Sequence, residues 1–217
     1  MTDLSNKVKY PRSYHLPFSP GATSDDKKWS NEQAITYTTG KDLVVTEKMD
    51  GSNVTLYSDY YHNRSINTSY HPAFDWIKRY HSEIAINIPN ELRICGEYLY
   101  NTHSISYDNL ESYFYGFSVW EGAKCLSWED TLEWFKLLDI TPVPTVAENI
   151  GYNEKLITAI GEYTVNQGKE GIVIRNIDSF NIDSFSQNLA KYVRANHVTS
   201  SEHWLHSKLV QNKLGVK

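Results

Sequence analysis

The sequence predicts an α+β fold built mainly of antiparallel sheet, and three observations carry that prediction. Short β-branched and aromatic runs outnumber stretches of helical period. The two kinds do not alternate regularly, as a parallel βαβ fold would require. The 217 residues, 40% hydrophobic and 13% aromatic, suffice to bury the core of one domain spanning 1–217. The same composition excludes a disordered tail protein and a collagen-like one. No apolar run approaches the roughly 18 residues of a membrane span, and MTDLSNKVKYPRS lacks the apolar centre of a signal peptide. Cys95 and Cys125 have no CxxC spacing, which leaves neither a disulfide framework nor a cysteine-rich zinc site. The expectation is a soluble, cytoplasmic monomer (host cytoplasm if phage-encoded) with no membrane partner.

Residues 1–30 form an ordered N-terminal loop segment, because 10–30 are rich in Pro, Ser and aromatics. KDLVVTEK and SNVTLYS then flank MDG, two strands around a glycine turn. Residues 72–85 suit a helix, with Pro72 in its first turn and Phe74, Ile77, Tyr80 and Ile84 at helical spacing. ELRICGEYLY and SYFYGFSVW read as strands. Ser127 opens a capping-box variant, and Leu132, Phe135 and Leu138 continue that helix. Asn153 caps a further helix through about Val165, stopped by Gly168. EGIVIRN and LAKYVR are the last strands. Between them NIDSF occurs twice, Asn176–Phe180 and Asn181–Phe185, a duplicated loop to which no chemistry is assigned. A C-terminal helix closes the chain within 199–217, its 200–213 stretch turning Trp204, Leu205 and Leu209 inward.

Net charge is −5, yet residues 186–217 carry +4 and the other 185 residues −9. A basic end on an acidic body can still engage phosphates locally. His197, His203 and His206 cluster near that end, but without Cys or an HExxH pair they read as helix surface.

The chemistry starts at Lys48-Met49-Asp50-Gly51, a lysine at a strand-to-strand turn where it can act as a covalent nucleophile. Glu97, Glu170 and Lys191 follow, each charged within an otherwise apolar strand. Such charges are costly to bury unless paired or engaged with a ligand. Two carboxylates and two lysines converging on one cleft would make a metal–phosphate site. In this order, with FYGFSVW at 114–120, the set over residues 44–194 resembles the covalent nucleotidyltransferases: ATP-dependent RNA ligases, DNA ligases and mRNA capping enzymes. EKMDGSN is most similar to the RNA ligases.

The resemblance implies an ATP-grasp-like ligase adenylation (nucleotidyltransferase) domain using ATP with Mg²⁺ or Mn²⁺, and 5′-phosphorylated RNA, nicked duplex included, as partner. Lys48 would become lysyl-AMP, its pKa pushed down by a metal ion, by Lys191 and by desolvation. Glu97 would sit beside the ribose, Phe117 against the adenine and Glu47 at the adenine amino group. Glu170 would engage the metal and Lys191 the α-phosphate. Asn53 would position phosphate and metal, and Arg64 would contact substrate phosphate. Where the family places a second lysine this chain has Val193, which makes Arg194 the candidate replacement. Only 23 residues follow Arg194, too few for the OB domain of DNA ligases and capping enzymes. Arg12, with His15, would serve phosphate in its place. A nick-sealing DNA ligase and a non-catalytic nucleotide-binding module are the alternatives.

Overall fold

The computed structural model describes residues 6–67, 71–195 and 210–215. In chain order the elements are β1 (Tyr14–His15), α1 (Asn31–Thr38), β2 (Leu43–Lys48), β3 (Ser52–Leu56), β4 (Tyr61–Asn63), α2 (Asp75–Ile84), β5 (Leu92–Tyr98) and β6 (Phe114–Glu121). There follow β7 (Lys124–Cys125), α3 (Trp128–Leu137), β8 (Thr145–Ile150), α4 (Glu154–Asn166), β9 (Gly171–Asn176), β10 (Phe180–Asn181), α5 (Phe185–Asn188) and β11 (Leu189–Val193). One sheet runs β1-β11-β9-β2-β8 and the other β10-β7-β6-β5-β3-β4. Among the named strands every pairing is antiparallel except β1 with β11. The predicted class holds.

The helices begin where their caps require. Ser127 Oγ accepts from the Asp130 amide at 3.0 Å to start α3, and Asn153 Oδ1 accepts from Leu156 at 3.0 Å to start α4. Helix α1 and strand β8 are among the elements that lie where no strand or helix was expected. Helix α1 buries only Ala34 and Thr38, so it has no apolar stripe to read, although Ser30 and Gln33 form a capping box. Strand β8 is an edge strand with little burial, hence without alternation.

From residue 6 onward the N-terminal segment is more than a loop. Its Tyr14–His15 pairs in parallel with Ala190–Lys191 and becomes an edge of the first sheet. The C-terminal helix expected over 200–213 is corrected in part. Residues 200–209 lie outside the described residues, while 210–213 are extended, with Gln211 bridged to Asn101. Asn212 explains the extension: its side chain and backbone are spent on the 99–113 loop, which a helix turn would forbid. The NIDSF repeat turns out to serve packing. Phe180 and Phe185, the last residue of each copy, are both buried and 6.3 Å apart.

Three apolar clusters hold the structure. The largest lies under the second sheet and includes Ile94, Phe114, Trp128 and Val44. A second packs α4 and Trp29 against the first sheet through Ile157, Ile172 and Ile174. The third draws on both sheets, Cys95 and Trp120 from one and Leu189 from the other, and joins them behind the cleft.

Candidate active site

Strand β2 delivers Lys48 to its own C-terminal end. The chain then turns through Met49–Gly51 and leaves along β3 in the other sheet, so this one turn couples the two sheets. Gly51 permits it, since a Cβ there would collide with the Tyr98 carbonyl. Lys48 is in register with Gly171, where a Cβ would likewise strike the Tyr192 carbonyl. The glycine lets β9 start hard against β11. It also leaves Glu170, just outside the strand, beside Lys48: Nζ donates to Glu170 Oε2 at 2.6 Å.

Glu97 faces this pair from β5, where it is in register with Asn53, and its Oε1 accepts from the Gly51 amide at 3.2 Å. Asp50 is an organiser that sequence reasoning missed. Its Oδ2 accepts from Ser104 N at 2.8 Å, Ser104 Oγ at 2.7 Å and Ile105 N at 2.8 Å, while its own amide donates to Tyr107 Oη at 3.0 Å. These bonds fasten the Lys48 turn to the 99–113 loop. Asn212 fastens that loop in turn. Its Oδ1 accepts from Thr102 Oγ1 and Tyr107 N, and its Nδ2 donates to the Leu99 carbonyl. Nothing in the sequence marks Asn212, because every partner lies about a hundred residues away.

Electrostatics around Lys48 run opposite to the sequence expectation of a depressed pKa. Burial does push the ammonium down, but the carboxylates of Glu170, Glu97 and Asp50 outweigh it and the net direction is up. Glu97 is driven up to about 8, chiefly by burial, with Glu170 and Asp50 adding repulsion and Lys48 opposing. Lys191 moves down, through burial and then through Lys48.

Lys191 joins the site from β11, close enough to Lys48, Glu170, Asp26 and Arg12 to feel all four charges. Arg12 is therefore at the cleft, where its guanidinium pairs with Asp26 at 2.7 Å. His15 Nε2 lies 3.6 Å from the same carboxylate and His15 Nδ1 is 2.9 Å from Ser19 Oγ. Burial works against ionisation of Asp26, yet hydrogen bonds from Thr23 and Arg12 hold it well below the usual carboxylate range.

The other expected residues are placed as follows. Asn53 is half-buried, and its Oδ1 is buried with no hydrogen-bond partner. Arg64 is exposed, one step past the Val54–Asn63 pair and so level with Asn53. Phe117 is the extra residue of a β-bulge, between the Cys95–Ser118 and Gly96–Gly116 pairs, and meets Tyr10 edge-on at 5.0 Å. It packs against the third cluster beside Val173. Glu47 is not brought to Lys48. It takes the opposite strand parity and pairs with Lys169 at 3.2 Å. Arg194 is turned inward, its amide donating to Glu170 O at 2.9 Å and its Nη2 to Ser104 Oγ at 3.0 Å.

Among the described residues no group of three or more His, Cys, Asp or Glu is arranged to hold a metal by itself. Glu170 with the unpartnered Asn53 Oδ1 fits Mg²⁺ or Mn²⁺ of the kind held by one or two protein oxygens plus substrate phosphates. Among the described residues no helix is long and apolar enough to cross a membrane.

No curated protein sequence matches the chain. Solved structures do. An archaeal ATP-dependent RNA ligase superposes with a TM-score of 0.60 at 16% identity, over 88% of this chain and 49% of that one. A Naegleria gruberi RNA ligase variant, solved with AMP and Mn, gives 0.56 at 18% identity, over 88% and 57%; the same ligase has also been solved with PPi. An Aquifex aeolicus protein described as a candidate ATP-dependent DNA ligase gives 0.55 at 19%, over 87% and 50%. The chain thus spans about half the length of these proteins and shares their nucleotidyltransferase fold. Residues 41–193, which hold Lys48, Glu97, Glu170 and Lys191, match the family described as RNA ligase, and the chain belongs to that family.

Proposed function

We propose that the chain is an ATP-dependent RNA ligase that joins 5′-phosphate and 3′-OH ends through lysyl-AMP on Lys48. The observation that carries this is the meeting of Lys48, Glu170, Glu97 and Lys191 where the two sheets join, with Nζ 2.6 Å from Glu170. A drifted nucleotide-binding module has no physical use for all four charges in one cleft. The Naegleria gruberi ligase solved with ATP and Mn supports the choice of nucleotide and metal class.

Lys48 Nζ attacks the α-phosphorus of ATP. The N–P bond forms, the bond to the β-phosphate oxygen breaks, pyrophosphate leaves and the amine gives up its proton. An oxygen of a 5′-phosphate then takes the AMP from Lys48, and a 3′-OH finally displaces AMP to seal the strand. Glu170 would hold Mg²⁺ or Mn²⁺, which would supply positive charge to offset that of the transferring phosphate and to favour loss of the Lys48 proton to solvent. Lys191, whose pKa burial lowers, holds the α-phosphate, and Arg12 meets the departing or incoming phosphate from the β1 side. Glu97 positions the ribose and the Gly51 amide together, Phe117 offers a face to the adenine, and Asn53 and Arg64 attend the phosphate and metal.

The test is incubation with α-labelled ATP and, separately, GTP. The expected product is an acid-labile, base-stable adenylate formed from ATP and absent from Lys48→Ala and Lys48→Arg, since arginine stays protonated. Normal labelling of Lys48→Ala would end the assignment.

A further inference from the structure

A row of side chains crosses the cleft face of the first sheet and continues past the site. Register aligns Thr46 with Val173, Val173 with Lys191, Lys191 with His15, and His15 with Lys28. Residues paired across adjacent strands project to the same face. The row therefore runs from β2 outward across β9, β11 and β1 and ends at Lys28, which is exposed. Two strand spacings, roughly 10 Å, separate Lys28 from Lys191. Arg12 and Asp26 lie over the same stretch.

The neighbouring Lys27 has the opposite parity. Its ammonium lies over the Tyr14 ring at 5.4 Å, on the side of the second apolar cluster. Residues 6–28 carry a charge of +3 while the rest of the chain carries −8. Within that stretch Lys7 is spent on Asp59 and Lys27 faces away, while Arg12 and the exposed Lys28 lie on the cleft face; Arg194 at the other end of β11 is committed to Ser104.

We propose that this row is the docking track for the backbone of the 5′-phosphorylated strand, with Lys28 taking the phosphate next outward from those met by Lys191 and Arg12. The assignment rests on the ligase reading above. Contacts of this kind are electrostatic and sequence-independent. An acidic remainder confines the polynucleotide to the edge where the cations are.

The experiment compares Lys28→Glu with Lys27→Glu, the same charge change one residue apart on opposite faces. Binding of a 5′-phosphorylated RNA strand is followed by fluorescence anisotropy across a salt series, and adenylation with labelled ATP is run alongside. Lys28→Glu should weaken binding at least fivefold, with adenylation at wild-type rate and with the log–log salt slope shallower by about 0.7. Lys27→Glu should bind within twofold of wild type. Equal losses in the two variants, or wild-type binding by Lys28→Glu, would overturn the track. Absence of adenylation in the unmodified chain would overturn the ligase reading instead.

Discussion

Three carboxylates surround one ammonium at the end of β2, and burial, with repulsion from Glu170 and Asp50, favours a proton on Glu97. A carboxyl whose folded pKa, about 8, exceeds its ordinary 4.5 binds its proton more tightly in the native state. The stability it contributes is complete below about pH 4.5 and is lost as pH rises towards 8. The nucleotide-free chain should therefore melt at progressively lower temperature over that window. Glu97→Gln keeps an acceptor for the Gly51 amide but cannot ionise. It should flatten the decline and raise stability at pH 8 by about 1 kcal/mol, some 2–4 °C for a chain of this size. Calorimetry at several pH values checks this, and an unchanged pH slope in the variant would show that Glu97 does not hold the proton. Lys191→Ala acts on the other side of the balance. It removes a half-buried cation that serves phosphate, so adenylation should fall at least tenfold, about 1.4 kcal/mol, while the denaturant midpoint stays near wild type.

At the scale of elements, the 210–215 segment has the most to lose from one substitution. Asn212 is fully buried, gives and accepts through both side-chain atoms, and its backbone bonds Tyr100 and Tyr113. Asn212→Ala should cost about 2–4 kcal/mol, because it strands buried groups of the 99–113 loop. Urea unfolding of the purified variant measures it. These same elements show what a sequence displays and what it hides. Strands β2, β5, β6, β9 and β11, with Lys48, Glu97, Glu170 and Lys191, were legible because a charge inside an apolar run demands a reason. Helix α1 and strand β8 were not, since a lightly buried element has no stripe or alternation to betray it. Asp50 and Asn212 act through hydrogen bonds to distant residues, which leave no local pattern. Adjacency in sequence says little about Glu47, since neighbours along a strand take opposite faces.

At the scale of the molecule, two sheets meet along one cleft, and the described cations beside it include Arg12 and Lys28 on the N-terminal edge. The expected C-terminal basic patch is reduced by the inward Arg194, so the grip on nucleic acid should be short. A break already held by a complementary strand suits so small a footprint. Nicks in duplex RNA with a 5′-phosphate should seal faster than free single strands join, and an RNA 3′-OH should outperform a DNA 3′-OH. Matched nicked substrates measured beside a linear strand decide both, and equal rates with a DNA 3′-OH would favour the DNA-ligase alternative. The clasp of Asn212 on the 99–113 loop carries a temporal consequence as well. A ribosome makes Lys48 long before Asn212, yet the loop that fastens the Lys48 turn through Asp50 is itself clasped by Asn212. The growing chain therefore carries an unfinished candidate site until residue 212 has been made, and a nascent chain arrested before residue 210 should not accept label from ATP.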